Sequence, residues 1–169
     1  MARLGLAASF HAPDLPPSPA LAVALIERTL APSPRDCLVG SSLGGCYAAW
    51  LAARSGSRVV LLNPAVHPAR DLVGHVGPQA GYHDGEPFRF EARYLDELRV
   101  LEAAILPDPA RVLLVAAKGD EVLDWREMVA RFAGARHRVL EGSDHGLGDF
   151  EDLVDEVLLF SGLIQAQGE

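Results

Sequence analysis

The segment "LVGSSLGGCYAAW", residues 38–50, has the residue pattern with the clearest chemical meaning. Its residues 40–44 match G-x-S-x-G, with Ser42 at the centre. An apolar run typical of a strand precedes this turn, and an alanine-rich run typical of a helix follows it. A serine on such a sharp turn presents its hydroxyl clear of the backbone, and the start of the helix directs N–H groups at developing negative charge. The pattern makes Ser42 a candidate nucleophile.

A phosphate-binding loop is the main alternative for the same turn. The dinucleotide fingerprint G-x-G-x-x-G, begun at Gly40, would need glycine at position 42, where this chain has serine. A Walker loop needs Gly-Lys-Ser/Thr, and this turn contains no lysine. We therefore reject phosphate binding here.

A candidate acid and a candidate base follow Ser42, each just after a predicted strand. Asp120 follows the strand of residues 111–117, and His145 follows the strand of residues 137–141. Because the carboxyl ends of parallel strands meet at one edge of a sheet, the three side chains are expected to converge. A serine hydroxyl is a poor nucleophile at neutral pH and needs a histidine base oriented by a carboxylate. The sequence thus predicts a catalytic triad.

Each of these assignments has an alternative. Ser42 could cap the helix that follows it, although Ser41 and the glycines could serve that end as well. Asp124 could be a helix cap, or it could be the triad acid in place of Asp120. Asp144 is interpreted as a turn residue, because residues adjacent in sequence rarely face each other productively.

Strand and helix patterns alternate along the chain. They predict one α/β domain, residues 1–169, with a mainly parallel sheet flanked by helices. The predicted strands cover residues 7–12, 37–40, 58–65, 111–117 and 137–141. The predicted helices cover residues 19–30, 43–54, 91–105 and 149–164, and residues 74–88 are interpreted as a loop.

Residues 66–109 are interpreted as a lid-like insertion over one end of the sheet. Four apolar side chains within it are candidates to line an acyl pocket: Phe88, Phe90, Tyr94 and Leu98. A plain packing role for them is equally open at this point. The insertion is short, which favours a shallow site over one for large polymers.

Composition excludes several classes of protein. The net charge of −8, with no local cluster of basic residues, argues against a nucleic-acid partner. No apolar run approaches the roughly 20 residues that span a bilayer, and the first residues make a poor secretion signal. We expect a cytoplasmic protein without a membrane partner. Cys37 and Cys46 lie in apolar surroundings and are expected to be buried thiols.

Taken together, these residues resemble the α/β-hydrolases, and more narrowly a compact family of formerly uncharacterised bacterial esterases. The resemblance spans nearly the whole chain, through "PDLPPSP", "VGSSLGGCYAAWLA", "LLNPAVHP", "GDEVLDWREMVARF" and "LEGSDHGLGDFEDLVDEVLLF". It implies a hydrolase of carboxylic esters or acyl thioesters that needs no metal or cofactor. It also implies that Ser42 is the nucleophile, Asp120 the acid, His145 the base and the Leu43 N–H an oxyanion donor.

One feature of that family has no counterpart in this sequence. Its members begin with an extra strand and a His-Gly-Phe loop, and the loop supplies a second oxyanion donor. Here the first residues, "ARLGLAASFHAPDLPP", are similar to the segment that comes next in the family. Either Met1 is a misplaced start, or the protein is a shortened and feeble member. The missing strand would leave an open sheet edge, so a homodimer is possible.

The sequence therefore predicts a serine hydrolase acting on small or medium acyl esters or thioesters. Transfer of the acyl group to an acceptor other than water stays open, since the same acyl-enzyme serves both reactions. The alternative is a hydrolase-like binding module without catalytic activity, for which the missing oxyanion strand is the argument.

Overall fold

The computed structural model describes residues 9–80 and 87–165. Its strands are β1 (Cys37–Ser41), β2 (Arg58–Leu62), β3 (Gly77–Ala80), β4 (Pro87–Phe90), β5 (Val112–Ala117) and β6 (Arg136–Leu140). Its α-helices are α1 (Pro19–Leu30), α2 (Leu43–Ser55), α3 (Pro68–Asp71), α4 (Arg93–Glu102), α5 (Trp125–Arg131) and α6 (Val154–Ser161). Short 3₁₀ turns lie at Val73–His75, Pro109–Arg111 and Phe150–Leu153.

Four of the strands form a parallel sheet in the order β1-β2-β5-β6. The two central strands, β2 and β5, are almost entirely buried because their side chains are apolar on both faces. The register aligns Ser41 with Leu62, Leu62 with Val115, and Ala117 with Leu140. The carboxyl ends of all four strands therefore lie along one edge. The predicted fold class is confirmed.

Helices cover both faces of this sheet. On one face, small side chains of α2 such as Ala48 and Ala52 pack against Val59 and Leu61 of β2. On the other face, Val157 of α6 belongs to the same apolar cluster as Val60. The alanine-rich composition of α2 allows close packing on the sheet, which fixes the helix that begins just after Ser42.

The predicted elements outside residues 66–109 are largely confirmed. The structure has the helix of residues 19–30 with the predicted bounds, and Ser18 caps it by accepting a hydrogen bond from the Leu21 N–H. The predicted strand of residues 7–12 is wrong for residues 9–12, which contain no strand, and residues 7 and 8 lie outside the described residues. The helix α5 is not among the predicted helices, although Asp124 was considered as a helix cap, and Asp124 is the N-cap of α5.

Residues 66–109 differ most from the expectation. The predicted loop of residues 74–88 instead contains β3 and the start of β4, which pair as an antiparallel two-stranded sheet. Residues 81–86 lie outside the described residues. The helix α4 packs against α1 and α2, with Leu98 completely buried. The helical half of this segment is therefore part of the core.

Within the described ranges, no helix combines the length and apolar character that crossing a membrane requires.

Candidate active site

Ser42 lies between β1 and α2 in a strained backbone conformation, with φ 51° and ψ −122°. Main-chain hydrogen bonds hold it there. Its N–H donates to the Leu62 carbonyl over 3.0 Å, and its own carbonyl accepts from Gly45 and Ala65 over 2.9 Å each. The Ser42 side chain makes no capping hydrogen bond to α2. The capping alternative is therefore not observed, and the hydroxyl is available to another partner.

Glycines permit the tight approach of strand, turn and helix. A Cβ atom on Gly40 would lie 2.2 Å from the Gly44 carbonyl oxygen, which is a severe clash with backbone. A Cβ on Gly45 would lie 2.7 Å from the Cβ of Pro64. Gly44 is different, because a Cβ there would meet nothing within 4 Å. The G-x-S-x-G pattern thus contains one glycine that close packing requires, Gly40, and one that it does not.

The structure brings Ser42, His145 and Asp120 together as the sequence predicts, and we call them the candidate triad. His145 Nε2 lies 3.1 Å from Ser42 Oγ, and His145 Nδ1 lies 2.9 Å from Asp120 Oδ2. An ionised carboxylate can only accept, so Nδ1 carries the proton and Nε2 is left to accept from the Ser42 hydroxyl. This is the arrangement that activates a serine for attack.

Asp120 is held rigidly. Its side chain is fully buried, and its second oxygen, Oδ1, accepts from the N–H groups of Val122 and Leu123 over 2.8 Å each. The competing carboxylate, Asp124, is the N-cap of α5 and accepts from the Arg126 N–H over 2.9 Å. The structure therefore pairs Asp120 with the histidine and uses Asp124 as a helix cap.

The loop that carries His145 is a strained turn between β6 and the last helical segment. Ser143 and Leu147 both have positive φ, at 66° and 52°. Asp144 has the predicted turn role, since its Oδ1 accepts from the Gly148 N–H over 3.1 Å. The His145 N–H itself donates to Glu121 Oε2 over 3.1 Å.

This loop also lies directly against the loop that carries Asp120. A Cβ on Gly119 would lie 2.1 Å from the Ser143 carbonyl oxygen. Only glycine therefore fits there, and the absence of its side chain lets the acid and the histidine approach each other.

The backbone N–H of Leu43, the first residue of α2, is the candidate oxyanion donor. Among residues 9–80 and 87–165 this N–H has no hydrogen-bond partner, as is usual for the first turn of a helix. Leu43 is the residue directly after Ser42 in the sequence. A second donor is not identified within the described residues.

The assignment of Phe88, Phe90, Tyr94 and Leu98 to an acyl pocket needs correction. Phe90, Tyr94 and Leu98 are buried in the core cluster formed with α1 and α2, and Phe88 packs against that cluster. Phe90 and Tyr94 meet edge to face, with ring centroids 5.4 Å apart. Tyr94 and Leu98 are buried because α4 turns its apolar face inward, and Phe88 and Phe90 of β4 pack on the same cluster. The packing alternative is therefore the one observed.

Two concave sites lie away from the candidate triad. A cavity of about 20 Å³, room for one water, is lined by residues such as Cys46, Glu102 and Phe132. An open cleft is lined by His67, Arg70 and their neighbours. Neither of these two sites is lined by Ser42, Asp120 or His145.

No group of three or more histidine, cysteine, aspartate or glutamate side chains is arranged for a metal ion within residues 9–80 and 87–165. Cys37 is half-buried and Cys46 is buried. Burial raises the pKa of the Cys37 thiol to about 11 and that of the Cys46 thiol to about 12, with Glu102 adding to the effect at Cys46. Thiolate is therefore scarce at neutral pH, and neither thiol suits a nucleophile.

Two residues beside the candidate triad were missed by the sequence reasoning. Glu121 holds the backbone of His145, and Asn63 contacts the same loop through its side-chain amide. Asn63 carried a signal that could have found it: it ends a buried strand at the same sheet edge as the three triad residues, directly before a proline.

The family comparison accounts for almost the whole chain. Residues 1–162 match the model of an uncharacterised protein family, UPF0227. The chain belongs to this family. The match extends through every element that positions the candidate triad.

Solved structures similar to this chain are α/β-hydrolases. A candidate hydrolase from Agrobacterium vitis S4 has 15% identity and a TM-score of 0.62, with 85% of this chain and 69% of that chain covered. A metagenome-derived lipolytic enzyme has 18% identity and a TM-score of 0.61, with 86% and 72% covered. The esterase domain of a Rhodothermus marinus protein has 21% identity and a TM-score of 0.53, with 85% and 64% covered.

These likenesses establish the α/β-hydrolase fold for the UPF0227 chain. They also show that the chain spans only about two thirds of the length of such structures.

Proposed function

We propose that this protein is a serine hydrolase that cleaves small or medium acyl esters or thioesters through an acyl-enzyme on Ser42. One observation carries the proposal: the continuous path from Ser42 Oγ to His145 Nε2 at 3.1 Å, and from His145 Nδ1 to Asp120 Oδ2 at 2.9 Å. The strained turn at Ser42 and the α/β-hydrolase fold support it.

In the proposed acylation step, Ser42 Oγ attacks the carbonyl carbon of the substrate and the π electron pair moves onto the carbonyl oxygen. The hydroxyl proton passes to His145 Nε2 as the new C–O bond forms. The Leu43 N–H donates to the resulting oxyanion. When the oxyanion collapses, the bond to the leaving alkoxide or thiolate breaks, and the leaving group takes the proton from Nε2.

Deacylation repeats these steps with water as the nucleophile. His145 takes a proton from the water as the oxygen attacks the acyl carbon, and then returns it to Ser42 Oγ as the carboxylic acid departs. Asp120 keeps the imidazole in one orientation and stabilises its protonated form between the two transfers. An acceptor other than water would enter at the same point.

A turnover assay tests this proposal. We expect hydrolysis of p-nitrophenyl acetate or butyrate, or of a short acyl thioester, to fall by about 10⁴-fold or more in Ser42→Ala. Ser41→Ala is the matched control, since Ser41 is the exposed neighbour in the same turn, and it should keep activity within a few-fold. Equal activity in Ser42→Ala and the wild-type protein would contradict the proposal.

The second candidate is a hydrolase-like binding module without turnover. It is favoured by one observation: among the described strands, only β2 pairs with β1, so the outer edge of β1 has no neighbour there. In the family that the sequence resembles, a loop that follows an extra strand supplies a second oxyanion donor, and loss of one such donor costs about 10² to 10³ in rate. Absence of turnover together with specific binding of an acyl compound would support this candidate. The same open edge is our reason to propose that a homodimer can form.

A further inference from the structure

Asn63 is a completely buried polar residue at the carboxyl end of β2, and the proposed mechanism does not use it. It belongs to the sequence "LLNPAVHP" and has a positive φ of 41°. Asparagine tolerates this conformation better than most residues. A buried amide is costly unless every polar atom finds a partner, so its contacts indicate what the residue does.

Every polar atom of the Asn63 side chain is satisfied. Oδ1 accepts from the Ala117 N–H over 2.8 Å. Nδ2 donates to the carbonyl oxygens of Asp144 and His145 over 3.0 and 3.1 Å. The Asn63 side chain thus links the end of β5, three residues before Asp120, to the loop of His145. There it contacts the carbonyl groups of the two peptide bonds that flank the His145 Cα.

The Asn63 side chain accepts a hydrogen bond that a main-chain carbonyl would accept if β2 continued. The Asn63 N–H still donates to the Val115 carbonyl over 2.9 Å, as parallel pairing requires. The next bond of that ladder would join the Ala117 N–H to the Asn63 main-chain carbonyl. Because the backbone turns away at Asn63, Oδ1 accepts this bond instead. The amide also brings an NH₂ group to the point where two carbonyls of the histidine loop need donors.

The residues after Asn63 contact the remaining member of the candidate triad. The Ala65 N–H donates to the Ser42 carbonyl over 2.9 Å, and Pro64 fills the space that the missing side chain of Gly45 leaves. One three-residue turn therefore contacts the segments that carry the serine, the acid and the histidine.

We propose that Asn63 is a positioning residue for His145, and this inference rests on the proposed function. The loop around His145 contains two positive-φ residues, Ser143 and Leu147, so it needs external bonds to keep one conformation. Glu121 accepts from the His145 N–H, and Asn63 donates to the His145 carbonyl, which fixes the backbone on both sides of the imidazole. The imidazole is thereby held between Ser42 and Asp120.

Two substitutions separate the donated bonds from the backbone conformation. Asn63→Asp keeps an acceptor for the Ala117 N–H but replaces the NH₂ group with an oxygen facing two carbonyl oxygens. Asn63→Gly removes all side-chain bonds while tolerating the positive φ and adding no charge. Ser57→Ala is the matched control, because Ser57 is a buried polar residue at the opposite end of β2 that donates to the Ser33 carbonyl.

The test measures kcat and KM well below the melting temperature, together with the downfield proton NMR resonance of the imidazole Nδ1–H bonded to Asp120. We expect Asn63→Asp and Asn63→Gly to lower kcat by about a hundredfold, as a small misplacement of a catalytic group does, with KM within about twofold. The resonance should be lost or broadened in both variants. Ser57→Ala should keep kcat and the resonance even though it loses stability.

Failure of this inference and failure of the proposed function give different results. If either folded Asn63 variant keeps both kcat and the resonance, Asn63 is only a structural residue and the inference is overturned. If the wild-type protein shows no turnover, the proposed function is in error, and the resonance still decides whether Asn63 positions the imidazole. Loss of the resonance in Ser57→Ala as well would also overturn the specific role of Asn63.

Discussion

The carboxyl ends of the four parallel strands and the segment of residues 66–109 are built in different ways. At the strand ends, each turn is fixed by hydrogen bonds to a neighbouring strand, such as the Ser42 N–H to the Leu62 carbonyl and Asn63 Oδ1 to the Ala117 N–H. The described part of the segment 66–109 is fixed mainly by apolar packing of α4, and it also contains the small antiparallel sheet of β3 and β4.

This difference indicates which part of the molecule sets the distances between the side chains of the candidate triad. The strand ends hold chemically reactive groups from distant parts of the chain within hydrogen-bond distance of one another. The described part of the segment 66–109 contributes buried apolar area and therefore stability. We expect substitutions in the first region to affect catalysis more than folding, and substitutions in the second to do the reverse.

The largest expected effect distinguishes the two carboxylates near the end of β5. Asp120→Asn should lower kcat by about 10⁴-fold, because the amide no longer holds the imidazole in the required tautomer. Asp124→Asn should keep kcat within a few-fold, since asparagine also caps helices well. Steady-state kinetics on the two variants checks this, and similar losses in both would contradict the assignment of the acid.

The next largest effect is expected on stability, in the segment of residues 66–109. Leu98 is fully buried in the cluster between α4, α1 and α2, so Leu98→Ala should lower the free energy of unfolding by about 2–5 kcal/mol. Denaturant unfolding measures this loss. Activity of the folded fraction at low temperature should remain within a few-fold of the wild-type value. If Leu98→Ala instead changed the selectivity between acetyl and longer acyl esters, this would contradict the packing role and indicate that Leu98 contacts the substrate.

A smaller effect sharpens the comparison within the nucleophile turn. Gly40→Ala should destabilise the protein by about 1–3 kcal/mol, because the new methyl group would clash with the Gly44 carbonyl. Gly44→Ala has open space and lies inside α2, so it should leave the stability unchanged or raise it by up to about 1 kcal/mol. Denaturant unfolding of both variants measures these changes in the free energy of unfolding. Equal losses of stability in Gly40→Ala and Gly44→Ala would contradict this account of the turn.

The two regions also differ in how far the sequence could predict them. Ser42, Asp120 and His145 were predictable because each follows a segment with a recognisable strand pattern, and strand ends converge in a parallel sheet. The hairpin of β3 and β4 was missed because its strands contain Gly77, Pro78 and Pro87, which are typical of loops. The apolar and aromatic residues of β4 and α4 fit either a pocket wall or a core, and only the direction in which their side chains face separates the two.

Asn63 shows a different limit of prediction from sequence. An asparagine before a proline is typical of an ordinary turn. Its importance depends on bonds to residues 117, 144 and 145, which are 54 to 82 positions away in the chain. The sequence pattern places Asn63 at the sheet edge where the triad residues lie, but it carries no information on which backbone groups its side chain contacts. The register of three adjacent strands fixes those contacts.

Labelling with a fluorophosphonate probe tests the central claim most directly, because it detects an activated serine without requiring the natural substrate to be known. The account predicts one adduct per chain by intact mass, located on Ser42 by peptide mapping and absent from Ser42→Ala and Asp120→Asn under the same conditions. Labelling of another serine, or no labelling of the folded wild-type protein, would contradict the claim that Ser42 is an activated nucleophile.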